Sequence, residues 1–166
     1  MSSHHTPCVR ELPASLSAVA VFQRLHELPH CVFLDSALLH PLLGRYSFVA
    51  ADPFATLTSP IRDASDVESL AESHPLKRLA AQLANFHAET IPGLPPLQGG
   101  AIGLLSYDLN RSLEHLPAPQ FDEFQLPAVA IGLYDVVFAF DHLEQRSWII
   151  SQGFPETEAE PRTRRA

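Results

Sequence analysis

Cysteine is scarce in this sequence: Cys8 and Cys31 are the only two among 166 residues. Two thiols cannot build a disulfide scaffold, and their separation has no metal-ligand spacing. Positive charge is also thin, with 11 Lys and Arg against 19 Asp and Glu and a formal net charge of −8. A surface that grips a polyanion needs clustered cations, yet the basic cluster Arg162, Arg164 and Arg165 sits only at the far carboxy-terminal end. No apolar run approaches the ~20 residues that cross a bilayer. The opening Met-Ser-Ser-His-His-Thr-Pro lacks the basic-then-apolar order of a secretion signal. These absences point away from nucleic acid and membrane and toward a cytoplasmic chain with reduced thiols. Catalytic signatures are missing too: there is no Gly-x-Ser-x-Gly, His-Glu-x-x-His or Cys-x-x-Cys, and no internal repeat. His26 and His30 stand four apart, but Pro29 breaks the helix that would aim both at one metal.

What is present suits one globular domain, 46% hydrophobic and 18% charged, long enough to bury about two-thirds of its unfolded surface. Residues 9–12 read as an edge strand stopped by Pro13, and Ser15 as the cap of a helix whose stripe is Ala18, Val21, Phe22 and Leu25. Residues 31–35, 46–51 and 54–59 read as strands, with 37–45 a connection because it holds Pro41 and Gly44. Residues 62–73 are acidic and small, an exposed loop. Pro75 suits the first turn of a second helix, with Leu76, Leu79, Ala80, Leu83 and Phe86 as its buried stripe. Prolines stiffen 91–97 and bound a loop at 115–127. Residues 128–140 carry the longest β pattern, which Asp135 should bend or bulge. Residues 141–145 read as a turn and 147–151 as the hairpin partner. Residues 153–166 are polar and hold no core-forming pattern. The expected fold is α+β: two helices and six or seven short strands in two mostly antiparallel β-sheets packed face to face, helices outside.

The most legible stretch is 99–114, Gly-Gly-Ala-Ile-Gly-Leu-Leu-Ser-Tyr-Asp-Leu-Asn-Arg-Ser-Leu-Glu. Gly99 and Gly100 permit positive φ, and Gly103 marks a bulge or a tight approach in an apolar strand. Ser106 can cap a short helix on which Tyr107 is followed by Asp108, Arg111 and Glu114 at spacings of three. The glycines precede or interrupt the strand, so this is no dinucleotide fingerprint. Asp35 and Ser36, at the end of an apolar strand, can line a pocket mouth or merely turn the chain.

Three ordered stretches resemble the amino-terminal domain of chorismate-using enzymes, anthranilate synthase component I and aminodeoxychorismate (para-aminobenzoate) synthase component I. Residues 99–114 match a Gly-Gly-x-x-Gly-x-x-x-Tyr-Asp-x-x-Arg-x-x-Glu signature through Gly99, Gly100, Gly103, Tyr107, Asp108, Arg111 and Glu114. Residues 33–53 resemble Leu-Leu-Glu-Ser followed by Gly-Arg-Tyr-Ser-Phe, and 132–142 resemble a late strand. The resemblance implies a non-catalytic domain over 1–153, the start of an interdomain linker over 154–166, and a catalytic domain beyond. No catalytic residue and no cofactor fall in this stretch; chorismate and Mg2+ are implied for the catalytic domain. The implied partners are that catalytic domain, a glutamine amidotransferase subunit (component II), and tryptophan.

The family's tryptophan pocket includes Leu-Leu-Glu-Ser, here Phe33-Leu34-Asp35-Ser36 with Asp for Glu. Asp35, Ser36, Arg45, Tyr46 and Ser47 are then the expected pocket residues, beside a cavity between the sheets. Asp35 would accept from the ligand's ammonium group, and Arg45 would meet its carboxylate in a fork. Gly132-Leu133-Tyr134-Asp135 and Ser106-Tyr107-Asp108-Leu109 look more like the para-aminobenzoate branch, which serves folate precursor synthesis. The anthranilate branch, with its tryptophan feedback site, and a free-standing ligand-binding domain remain open alternatives. If the catalytic half is missing, 128–140 should show a bare apolar face.

Overall fold

In the computed structural model, residues 7–38, 40–41, 43–61, 74–88, 90–112, 114–117 and 120–166 are described. The expected loop at 62–73 lies outside them. The strands are β1 Cys8–Glu11, β2 Val32–Leu34, β3 Tyr46–Ala50, β4 Ala55–Ser59, β5 Gly100–Leu105, β6 Val129–Tyr134, β7 Val136–Asp141 and β8 Arg146–Ser151. The α-helices are α1 Ala18–Leu25, α2 Pro75–Leu83 and α3 Ala159–Arg165, and a short 3-10 helix spans Tyr107–Ser112. Every strand pairing is antiparallel: one sheet runs β1-β8-β7-β3-β2, the other β4-β6-β5. The α+β reading with two antiparallel sheets holds.

The period of two along β3 distributes its side chains between two cores. Val49 faces α1, where Ala18, Val21 and Phe140 bury against it and Phe22 stacks on Phe33 at 5.2 Å. Ala50, with Phe48 beside it, meets Ile102 and Tyr134 of the smaller sheet and Val137 of its own. The smaller sheet turns Leu57, Val129, Ile131 and Leu133 toward Leu79 of α2 and Leu109 of the 3-10 helix. Tyr134 also donates its hydroxyl to the His30 carbonyl at 2.6 Å, tying β6 to the loop ahead of β2. Burial pushes the Tyr134 phenol up from its ordinary value.

Residues 128–140 are not one bent strand. β6 and β7 lie in different sheets, and Asp135 is the hinge at which the chain changes sheet. The expected bare face is absent there: Val129, Leu133, Tyr134, Val137 and Ala139 are all buried by this chain. Exposed apolar side chains sit instead at Leu104, Leu105, Tyr107, Phe121 and Phe124.

Four local expectations need correction. Ser17, not Ser15, caps α1, accepting from the Ala20 amide at 3.2 Å. Helix α2 stops at Leu83, so Phe86 packs from beyond it, and Leu76 and Leu83 are exposed. The Ser106 hydroxyl caps nothing and has no partner among the described residues. Its amide instead donates to the Ala128 carbonyl at 3.0 Å, extending the β5–β6 ladder.

The polar tail after Gly153 does contribute to the core, which the pattern hid. Phe154 is buried against Phe54 and Phe86, with ring centroids 5.8 and 5.4 Å away. Arg162 of α3 is buried over the Phe154 ring at 4.2 Å. A period-based reading discounts a buried arginine because charge is ordinarily solvated.

Candidate functional site

Register builds the site. β2 and β3 pair through Leu34 and Phe48, so continuing the ladder sets Asp35 opposite Ser47 and Ser36 opposite Tyr46. The Ser36 hydroxyl donates to the Tyr46 carbonyl at 2.5 Å, and the Ser36 amide donates to Ser47 Oγ at 3.0 Å. Ser47 is fully buried. Its Oγ lies 2.9 Å from Asp35 Oδ1 and 2.7 Å from His142 Nε2. Ser47 has one proton; given to Asp35, it requires His142 to present Nε2–H to the oxygen. The cluster is then a directed chain, His142 to Ser47 to Asp35, ending on an exposed carboxylate.

Arg45 is adjacent but engaged elsewhere. Its Nε donates to Asp141 Oδ2 at 2.9 Å and its Nη2 to the same oxygen at 2.6 Å, with Glu144 Oε1 at 3.0 Å. The expected fork onto a ligand carboxylate is therefore already filled by the protein. The pair matters because Asp141 is buried and also accepts from the Leu143 and Glu144 amides. Burial pushes the Asp141 carboxyl up, but the Arg45 guanidinium and those two amides outweigh it and hold it below the ordinary range. The same bond raises Arg45. Arg45 also covers the Tyr46 ring at 5.0 Å, and its carbonyl accepts from the His142 amide at 2.8 Å. Its work is to fix the turn that aims His142.

Sequence reasoning thus located Asp35, Ser36, Tyr46 and Ser47 together but missed His142 and Asp141 as their partners. A signal existed, since Asp141-His142 ends the third matching stretch, although only the β3–β7 pairing brings it alongside. His142 lines a cleft of about 180 Å³ with Leu16, Ala18, Phe140 and Gln145, which Asp35 and Ser36 do not border.

The glycine-rich motif forms a different part of the molecule. Gly99 and Gly100 take φ of 128° and 112°, as expected. Gly103 sits in an unbroken ladder, where a Cβ would stand 2.1 Å from the Ala130 carbonyl oxygen, so tight approach and not a bulge explains it. Tyr107, Asp108 and Arg111 ride on the 3-10 helix, with Tyr107 exposed, and Glu114 follows it at the surface. None of these seven contacts the Asp35 cluster in the hydrogen bonds described.

A second polar centre, unforeseen from the sequence, surrounds the sheet-changing Asp135. Asp135 Oδ1 accepts from the Gln152 and Phe154 amides at 2.9 and 2.8 Å, and Oδ2 from Ser151 Oγ at 3.0 Å. Arg162 donates to the Gln152 and His87 carbonyls at 2.7 and 3.1 Å. Burial lowers the Arg162 guanidinium, and the Asp135 charge offsets part of that. Among the described residues, no three of His, Cys, Asp or Glu converge as metal ligands. No helix among them is long and apolar enough to cross a membrane.

The family model described as chorismate binding enzyme matches residues 31–166. Aminodeoxychorismate synthase component 1 of Salmonella typhimurium is 36% identical over 154 residues, covering 88% of this chain and 34% of the relative. Anthranilate synthase component 1 of Acetivibrio thermocellus is 30% identical over 150 residues, 87% of this chain and 30% of the relative. The yeast anthranilate synthase component 1 is 39% identical over 120 residues, 70% of this chain and 22% of the relative. The chain spans about a third of the length of the first two relatives and less of the third. With a family model matched over most of its length, the chain belongs to the chorismate-binding enzyme family.

Proposed function

We propose that residues 1–153 are the amino-terminal, non-catalytic domain of a para-aminobenzoate (aminodeoxychorismate) synthase component I, and that 154–166 begin the connection to its catalytic domain. The parent would aminate chorismate toward folate precursors in the cytoplasm, using Mg2+ in the catalytic domain and ammonia from a glutamine amidotransferase component. The observation that carries the reading is the Asp35–Ser36 pair held across from Tyr46–Ser47 at the open end of β2 and β3. In the described contacts Asp35 gives one carboxylate oxygen to Ser47, leaving the other to accept from a ligand ammonium group. Ser36 can bond either polar end of an amino acid. Arg45 supports the wall through Tyr46 and is not the carboxylate's partner. A tryptophan-like ligand, completed by groups outside this chain, fits that description.

The experiment is calorimetry with tryptophan on the full-length protein against Ser36→Ala. Weaker binding by the variant is expected; equal affinity would place the pocket elsewhere. The 166-residue chain alone should form neither aminodeoxychorismate nor anthranilate from chorismate, Mg2+ and ammonia, since no group of metal ligands converges among the described residues. The anthranilate branch is the second reading, supported by the 39% identity to the yeast protein. The fluorescent product of the full-length protein decides between them.

A further inference from the structure

The two sheets end in the outer strands β1, β2, β4 and β5. An open strand edge accepts another strand unless something blunts it. β1 carries the charged Arg10 and Glu11, β2 is only Val32–Leu34, and β4 runs between Pro53 and Pro60. β5 has no such device: Gly100–Leu105 holds neither proline nor charge, and no charged residue occurs from Gly99 to Tyr107. Gly103, Leu104 and Leu105 are exposed there.

Register states what that edge offers. The Ser106 amide donates to the Ala128 carbonyl at 3.0 Å, on the same register that sets Leu104 opposite Ala130 and Ile102 opposite Gly132. Bonding to one neighbour alternates along an antiparallel strand, so Ile102 and Leu104 turn their N–H and C=O inward to β6. Ala101, Gly103 and Leu105 turn theirs outward, and no turn or loop bond among the described residues takes them up. Gly99 and Gly100 hold φ of 128° and 112°, outside strand geometry, so the regular edge is 101–105 and its centre is Gly103.

We propose that β5 pairs with β5 of a second copy of this chain, antiparallel about a two-fold axis through Gly103. Gly103 then faces its own copy and Ala101 faces Leu105, with every outward N–H meeting a C=O. The axis falls where there is no side chain, and the small Ala101 meets the large Leu105. On the opposite face Ile102 lies across from Leu104. Leu104 and Leu105, 40% and 51% exposed, each gain an apolar neighbour. Charge selects the place: two copies of a chain with net charge −8 repel each other, and this edge adds nothing to that repulsion. A two-fold contact uses one patch twice, so self-complementarity is its requirement, and 101–105 meets it. The contact shares no residue with the Asp35 cluster and does not depend on the function proposed above.

The test is sedimentation equilibrium of the full 166-residue chain from ~1 μM to ~1 mM, the span of weak association, with amide exchange read by NMR. The mass should rise from 18.3 kDa toward twice that value. Over the same range, exchange at Ala101, Gly103 and Leu105 should slow severalfold, while Ile102 and Leu104, already bonded to β6, should change little. A mixture of isotope-labelled and unlabelled chain should show a contact between Ile102 Hα of one copy and Leu104 Hα of the other. Leu105→Pro removes an outward N–H, leaves the β6 ladder intact and should give a monomer. Leu104→Lys sets like charges on the joined face and should weaken association about tenfold. Thr56→Lys, on the β4 edge, should leave it unchanged. If Leu105→Pro fails to fold, the exchange pattern and Leu104→Lys still decide. A chain that stays monomeric throughout, or a dimer without the alternation at 101, 103 and 105, would overturn the proposal. So would a dimer that survives Leu104→Lys and is lost in Thr56→Lys.

Discussion

The two ends of β7 each carry a carboxylate that organises a turn, and they are built on different terms. At the far end Asp141 is braced by Arg45, whose side chain is 26% exposed, and leads to the His142–Ser47–Asp35 chain, which finishes at the surface. At the near end Asp135 is inside, its oxygens taken by Ser151, Gln152 and Phe154, with Arg162 buried behind them. The first cluster keeps bonding capacity at its rim, as a binding site requires. The second spends its Asp135 carboxylate on the chain itself and anchors α3 to the sheet through Arg162. A polar cluster is therefore read by where its last acceptor points, not by the residue types within it.

The sharpest way to break that contrast is Asp135→Ala. It strips two buried amides and a hydroxyl of their acceptor and leaves Arg162 uncompensated. The expected loss is about 3–5 kcal/mol in urea unfolding, a large part of the ~5–15 kcal/mol typical of a domain. A loss below about 1 kcal/mol would put Asp135 on the same footing as the rim.

Ser47→Ala probes the other end. Asp35, His142 and the Ser36 amide all lose their common partner, but Asp35 can turn to water. A cost of about 1–3 kcal/mol is expected, accompanied by changed amide shifts at Ser36 and His142. Unchanged shifts at both would mean that Ser47 is not the hub.

Acid titration gives a smaller effect with a defined sign. The Asp141 carboxyl is held below its unfolded value, near 3.9 for an ordinary aspartate. Its stabilisation is therefore fully present above that unfolded value and is lost as pH falls through the lower folded one. Arg45→Met should lower stability modestly at neutral pH, and much of the difference from wild type should vanish in acid. Parallel unfolding curves from pH 7 to 2 would show that the pair carries no such linkage.

The exposed Arg146–Glu11 pair, joined at 2.8 Å across β8 and β1, serves as the control. Arg146→Gln should leave the melting temperature unchanged at physiological salt, because both side chains are about half exposed and screened. A clear shift there would mean that surface charge, not depth, separates the clusters.

Much of the first cluster was readable because its parts are local. Asp35-Ser36 and Arg45-Tyr46-Ser47 are joined by one connection, and antiparallel pairing of two adjacent apolar runs brings them together. Arg45's true partner was not readable, since Asp141 is 96 residues away and competes with any ligand for the same fork. The second cluster was hidden altogether. It joins positions 98, 135, 152 and 162, of which 162 fell in the segment that looked like polar tail and 98 and 152 fell just outside any expected element.

By itself the sequence determined the α+β class, the antiparallel pairing of neighbouring apolar runs, the positive φ allowed at Gly99 and Gly100, and the family. Each rests on local periodicity, short connections or residue types at fixed spacing. Only the tertiary structure decided that the chain changes sheet at Asp135, that α3 folds back to bury Arg162, and that Gln152 Oε1 is left without a partner among the described residues. Those outcomes depend on which distant groups share one dry space, where an unpaired acceptor or an isolated charge is costly, and no local pattern along the chain encodes that proximity.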